Sequence, residues 1–368
     1  MISLDESASR LSRLQTQMAG DDIDLIAIAP TPNMRYLLGF APLADERLCL
    51  LLVTPHGICI VAPDLTADQI EARTARETIR WSDSMGPRQA LAGAARILGV
   101  SSGPVLAADA AMRADALLLL QEVFDPRRCV SGAEMMYALR MQKSEAEIEA
   151  LTRAAAQADR AMMVGAEACR PGVTEREVAE KIAGYFRRDG AETVDVTLVA
   201  SGPNSAFPHH EAGDRRLQTG DTIIIDIVAT LDGYKSDVTR VVHLGKLPPE
   251  VRAVHAIVLE ANRCGREAAV AGACARDIDR AARAVIERAG YGPYFIHRTG
   301  HGLGMEMHEA PWISAESTTV LAPGMVFSVE PGIYLEGQFG IRIEDIVVVT
   351  EGACRCLTGL DRALIVKP

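Results

Sequence analysis

Two stretches of this chain echo one another, and in both an acid stands beside a hydrophobic run. Leu217-Gln218-Thr219-Gly220 leads through Thr222-Ile223-Ile224-Ile225 to Asp226, and Leu321-Ala322-Pro323-Gly324 leads through Val326-Phe327-Ser328-Val329 to Glu330. Leucine, glycine and carboxylate keep the same spacing, 104 residues apart. Each stretch follows two predicted helices, near 144–170 and 174–187 in the first half and near 250–271 and 275–289 in the second. The pattern predicts an α+β domain made of two related halves, each of helices plus a hairpin.

Each repeat strand returns through a turn, Leu231-Asp232-Gly233 or Glu336-Gly337-Gln338, towards a second acid, Asp237 or Glu344. The first pair of acids is centred on position 231.5 and the second on 337, so hairpin pairing is expected to set each pair side by side. A buried carboxylate without a partner is costly, and two adjacent ones repel. Cations remove both objections. For one acid alone a surface charge or ordinary ion pair is the simpler account; four at matched positions point to metal.

His301, flanked by Gly300 and Gly302, is expected as a fifth ligand, because glycines let the backbone pass close to a site. Four carboxylates and a neutral imidazole carry a formal charge near −4, which two divalent ions balance. Oxygen-rich ligation suits Mn, Co, Fe or Zn. No HExxH, GxSxG or P-loop sequence is present, so a helix-borne zinc site, a serine elbow and a phosphate loop are not supported.

At 368 residues the chain is expected to hold two domains, 1–134 and 135–368. In the first third, Leu4, Leu11, Leu14 and Met18 predict a helix. Strands are expected at 24–29, 48–53, 58–61, 78–81 and 105–108, and further helices near 88–98 and 112–123. This α/β region shows no catalytic constellation. Capping boxes at Ser144-Glu147 and Thr174-Glu177 open the long helices of the second domain. A net charge of −11 argues against nucleic acid as the main partner. The amino terminus has no basic, apolar leader and no later run approaches a membrane span, so a cytoplasmic location away from membranes is expected. The eight cysteines, without a CxxC pair, read as reduced, mostly buried thiols. His255 and His56 read as solvent-exposed.

Further motifs run in one order: Ser201-Gly202-Pro203-Asn204 with Pro208-His209-His210, Ser236-Asp237-Val238-Thr239-Arg240, His297-Arg298-Thr299-Gly300-His301-Gly302, His308-Glu309-x-Pro311, Glu330-Pro331-Gly332-Ile333-Tyr334, and Arg342-Ile343-Glu344-Asp345. Together they resemble the prolidase and Xaa-Pro aminopeptidase branch of the pita-bread metallopeptidases. The first third, with Asn33-x-x-Tyr36-Leu37-x-Gly39-Phe40, resembles that family's creatinase/prolidase N-terminal domain.

The resemblance implies a pita-bread catalytic domain with a pseudo-twofold repeat, binding two divalent ions, manganese foremost. Asp226, Asp237, His301, Glu330 and Glu344 would be the ligands, with Asp237 and Glu344 bridging. It implies hydrolysis of a small peptide with proline in second position, by a homodimer. Glu330 would be the general base, His209 and His308 would stabilise the intermediate or assist the leaving group, and His297 and Arg342 would contact substrate. Met305, Met307 and Trp312 read as packing. Two other readings stay open: a hydrolase or lyase of a small non-peptide metabolite, and a binding protein without catalysis.

Overall fold

The apolar stripe near the amino terminus forms helix α1 (Leu4–Gly20), capped by Ser3, whose hydroxyl accepts the Glu6 amide. The structure, a computed structural model, describes residues 3–368. Leu11, Leu14 and Met18 are buried, whereas Leu4, at the first helical position, is 62% exposed and lies outside the stripe it was expected to join.

There follow β1 (Leu25–Ile28), α2 (Pro32–Leu38), β2 (Leu50–Thr54), β3 (Gly57–Pro63), α3 (Asp64–Thr74), β4 (Thr78–Trp81), α4 (Arg88–Ile97), β5 (Val105–Ala108), α5 (Ala114–Phe124) and β6 (Arg128–Ser131). The strands make one mixed sheet in the order β4-β3-β2-β1-β5-β6. On one face Leu25, Ala27, Leu50, Leu52 and Leu106 pack with Leu91 of α4 and with Leu120 and Phe124 of α5. This unit ends at Leu139, within α6 (Ala133–Met141), and the second runs from Arg140 to Pro368.

The second unit opens with α7 (Glu145–Ala168) and α8 (Glu175–Arg188), and both expected capping boxes form reciprocally, Ser144 with Glu147 and Thr174 with Glu177. Next come β7 (Thr193–Ser201), β8 (Thr222–Leu231), β9 (Tyr234–Lys235) and β10 (Val238–Leu244). The second half repeats the order with α9 (Pro249–Ala268), α10 (Ala275–Arg288), β11 (Gly300–Gly302), β12 (Glu309–Ile313), β13 (Val326–Val329), β14 (Gly332–Leu335), β15 (Phe339–Arg342), β16 (Asp345–Val348), β17 (Arg355–Cys356) and β18 (Ile365–Lys367). One sheet runs β18-β10-β8-β7 with β9 on β8, another β12-β11-β13-β16-β17, and β14 pairs with β15.

Alternation along β8 decides what each face does. Ile223, Ile225 and Ile227 pack on Ala158, Ala161 and Met162 of α7 and on Ile182 and Phe186 of α8. Each such isoleucine contributes about 1.5–3 kcal/mol. The period of two therefore turns Asp226 and Val228 to the opposite face. In the second half Phe327 and Val329 pack on Ile278 of α10, and Ile333 and Ile341 pack on Val258 and Ile286.

All eight cysteines are free, as expected, but only Cys49 and Cys169 are buried, and the other six are half-buried, so the expectation of mostly buried thiols does not hold. His255 departs from expectation: its side of α9 faces inward, so it is only 7% exposed, and burial lowers its pKa.

One buried ion cluster fixes the start of β12. Glu309 meets Arg140, and Lys143 Nζ lies 2.8 Å from its Oε1. Burial alone would raise Glu309, but the charges of Lys143 and Arg140 hold it below the ordinary carboxylate value. A depressed folded value means that stability is present above the unfolded pKa and lost as pH falls through the folded one. Glu309→Gln removes the acid that Lys143 pairs with and leaves Arg140 with Glu306, 2.6 Å away, which costs about 3–5 kcal/mol. Calorimetric melting is expected to show a Tm lower by roughly 10 °C with a weaker acid dependence; an unchanged Tm would contradict this account.

Candidate metal centre

The first hairpin turns through Asp232 and Gly233, both with positive φ (53° and 82°). Asp-Gly suits a two-residue turn of this kind, and Leu231 pairs with Tyr234 across it. The pairing is therefore centred one position later than the acids are. Asp226 faces Thr239 rather than Asp237. Asp237 lies two residues along the same face, so the first pair is diagonal, a correction to the side-by-side expectation. The second hairpin meets that expectation. Val329 pairs with Asp345 and Gly332 with Arg342, and that register, carried through, sets Glu330 opposite Glu344.

The two halves meet at Thr239. Its hydroxyl donates to Glu344 Oε2 at 2.8 Å, and the Glu344 amide donates to the Thr239 carbonyl at 3.2 Å. Asp237, His301 and Glu344 are buried and each offers a ligand atom within 4.8 Å of the others. His301 Nε2 lies 3.3 Å from Glu330 Oε1 and 3.9 Å from Asp237 Oδ2. His301 Nδ1 is 3.1 Å from the Gly302 carbonyl and donates to it, which leaves Nε2 as the lone-pair nitrogen facing the acids.

The glycines beside His301 serve a different neighbour from the one expected. A Cβ at Gly300 would lie 1.9 Å from the Ser328 carbonyl oxygen, and one at Gly302 would lie 2.1 Å from that of Ala310. They let β11 fit between β13 and β12, and the imidazole reaches the acids as a result.

The acids behave as a crowded group. Burial, then Glu344, Asp226 and Glu330, push Asp237 well above its ordinary pKa; burial, then Glu330 and Asp226, do the same to Glu344. Against burial, the hydrogen bond and charge that His301 supplies when protonated, with the charge of Arg342, hold Glu330 at about 2 in the metal-free protein. Asp226 Oδ2 takes Arg342 at 2.5 Å, while its buried Oδ1 has no hydrogen-bond partner among the described residues. An orphaned oxygen, a lone-pair imidazole nitrogen and mutually repelling acids are what a cation site requires, and the donor set fits hard divalent ions.

A cavity of about 1000 Å³ opens over this group, lined by Asp226, Asp237, His301, Glu330 and Glu344, and also by His209, His297, Arg298, Met307, His308 and Arg342. His308 is exposed in that lining, with its ring against His301 at a centroid distance of 4.1 Å; burial, then the charges of His301 and Arg298, lower it to about 4. His209 is exposed there too. Met305 is buried, and Trp312 lies under Arg298.

His297 and Arg342 line the cavity with their polar atoms already occupied. Arg342 donates to Asp226, to the Tyr334 hydroxyl at 2.8 Å and to Thr239 at 3.3 Å. His297 Nδ1 is 2.7 Å from the Arg298 carbonyl and donates to it, so Nε2, 2.8 Å away, accepts from Tyr334. Burial keeps His297 neutral and raises Tyr334 to about 12. Both residues expected to contact substrate thus line the cavity, and they are also linked in a chain from Asp226 through Arg342 and Tyr334 to His297. Sequence reasoning assigned no role to Tyr334 or Thr239, although both stand in the quoted motifs.

Residues 149–351 match Metallopeptidase family M24, and residues 10–142 match the Creatinase/Prolidase N-terminal domain. A probable dipeptidase, PepE, from Mycobacterium tuberculosis is 36% identical over 98% of this chain and 96% of its own length. The Xaa-Pro dipeptidase of Pyrococcus furiosus is 33% identical over 97% of this chain and 99% of its own. A solved prolidase from Thermococcus sibiricus superimposes with a TM-score of 0.93 at 36% identity, covering 100% of both chains. On this full-length likeness, the chain belongs to metallopeptidase family M24 and is a peptidase that works with divalent metal ions.

Proposed function

We propose that this peptidase hydrolyses the bond between an N-terminal residue and a following proline, with Asp226, Asp237, His301, Glu330 and Glu344 holding two divalent ions, manganese foremost. The observation that carries hydrolysis is the convergence of Asp237, His301 and Glu344 within 4.8 Å, beside Glu330. The preference for proline rests on full-length similarity to proteins named prolidase or Xaa-Pro dipeptidase. Those names favour a peptide over a small non-peptide metabolite, and a complete ligand set favours catalysis over binding alone.

Divalent ions, when bound, supply Lewis-acid activation of water and of the scissile carbonyl. The chain's own groups handle the protons. Glu330, held ionised, is placed to take a proton from the attacking water. A prolyl nitrogen carries no hydrogen and must gain one to leave as a secondary amine, and His209 and His308 line the cavity where that amine departs. Arg342 and Tyr334 position Asp226 and His297. Manganese- or cobalt-loaded protein is expected to release the first residue from Xaa-Pro dipeptides, and Asp237→Ala to abolish this with loss of metal by elemental analysis. Failure of every metal with every dipeptide would refute the reading.

Tyr334→Phe removes the hydroxyl that joins Arg342 to His297 and is expected to lower kcat about 10–100-fold at unchanged metal content; parental kinetics would remove the chain from the mechanism.

The acids also leave a pH signature. Asp237 and Glu344 have raised values, so above the unfolded carboxylate pKa of about 4 the metal-free fold binds more protons than the unfolded chain. Its stability then falls as pH rises towards those folded values. Bound cations remove this penalty. Melting of chelator-treated and manganese-loaded protein between about pH 5 and 8 is expected to show a Tm gap that widens with pH; a constant gap would contradict the arrangement.

A further inference from the structure

Among the cations that line the cavity, Arg187 and Arg298 form no ion pair to the described residues, and of these only Arg298 is held in place by packing. Arg342 is committed to Asp226, Tyr334 and Thr239, and Arg176 pairs with Asp214 at 2.9 Å. Arg187 is exposed on α8. Arg298 is half-buried, and its guanidinium lies over the Trp312 ring at 4.5 Å. It forms no ion pair and donates no hydrogen bond among the described residues. Stacking of this kind fixes the plane of a guanidinium while leaving its edge donors free, and that edge matches a carboxylate two bonds at a time.

Its place along the chain matters as much. Arg298 stands three residues before His301, and its carbonyl is held by His297 at 2.7 Å. Its charge is felt by Glu330 and by His308. In an Xaa-Pro dipeptide the terminal carboxylate carbon is two bonds from the scissile nitrogen, about 2.5 Å away. The anion of a bound dipeptide must therefore lie beside the groups that handle the leaving amine. A longer peptide has a neutral amide at that point.

We infer that Arg298, oriented by Trp312, binds the C-terminal carboxylate of the substrate and so restricts the enzyme to dipeptides. This rests on the Xaa-Pro reading above and sharpens it, since neither the fold nor the metal ligands distinguish a dipeptidase from an aminopeptidase. No acid forms an ion pair with Arg298, and Glu330, whose charge it feels, is engaged with His301, so a substrate without a carboxylate leaves the cation without a close partner.

The test uses manganese-loaded full-length protein with Ala-Pro and its C-terminal amide, in the parent, Arg298→Gln, Arg298→Lys and Arg187→Gln. The parent is expected to favour the acid by about 10–100-fold in kcat/KM, the scale of a charge-assisted hydrogen bond. Arg298→Gln should remove this preference chiefly through KM for Ala-Pro, with a smaller change on the amide. Arg298→Lys should keep part of it, and Arg187→Gln all of it. A parent without preference, an equal loss on both substrates in Arg298→Gln, or a preference that disappears in Arg187→Gln would overturn the assignment. If the parent turns over neither substrate, the Xaa-Pro reading fails, and calorimetric titration with proline and proline amide still decides on Arg298. Proline binding at least about 10-fold weaker in Arg298→Gln supports it; no binding, or equal binding by both proteins, overturns it.

Discussion

The catalytic unit is organised around the mutual repulsion of Asp226, Asp237, Glu330 and Glu344. Four acids in one largely buried group cannot all ionise without cations, and the raised values of Asp237 and Glu344 express this directly. Arg342 meets only part of the need, since it reaches Asp226 through Oδ2 and leaves Oδ1 without a partner. Counting Arg342 changes the charge of the protein's own groups from about −4 to about −3. On the proposed reading, two divalent ions held there would leave the centre positive, which would favour loss of a proton from water.

Such a centre survives only if the surrounding structure holds the acids where they would not go by themselves. The isoleucines of β8 bind its other face to α7 and α8, and alternation along the strand carries Asp226 to the cavity side. Behind Glu344, Arg240 donates to the Glu344 carbonyl at 2.5 Å and to Asp345 Oδ1 at 2.9 Å, and all three residues are buried. A buried ion pair adds little net stability compared with apolar packing. Its effect here is to fix the backbone at Glu344, while Thr239 fixes the side chain. The twofold relation between the hairpins is therefore functional rather than geometric. One pair of acids is diagonal and the other direct, yet both reach the same point.

What could be read in the sequence follows the range over which each signal acts. The capping boxes, the strands Thr78–Trp81 and Val105–Ala108 and the helices of the repeat are written in local periodicity and end signals. The helices α2 and α3 were not anticipated. The first spans only seven residues, too few for a periodic stripe, and the second starts at Pro63 without a side-chain cap. The four acids and the imidazole stood out because a carboxylate amid isoleucines is a local contradiction. The register of the first hairpin was not, because it depends on positive φ at both Asp232 and Gly233. The commitment of Arg342 and His297 to Tyr334 was hidden as well. Those contacts join residues 8 and 37 positions apart, and a motif shows which residues occur together without showing which atoms are already engaged.

That distinction between engaged and unengaged atoms sorts the groups around the cavity. His297, Arg342 and Tyr334 satisfy one another, so they form a rigid frame with little capacity left for a substrate. His301 uses Nδ1 on the Gly302 carbonyl and turns its lone pair towards the acids. His209, His308 and Arg298 form no hydrogen bond to the described residues, and Asp226 Oδ1 has none either. Polar groups enclosed in a folded protein are nearly always satisfied, and those left open at a cavity mark where a ligand completes the bonding. The open groups divide by charge. The acids call for cations at the base of the cavity, and Arg298 calls for an anion beside the two histidines. An Xaa-Pro dipeptide supplies that anion two bonds from the nitrogen that must leave, so the same electrostatics that hold the metal ions also orient the substrate.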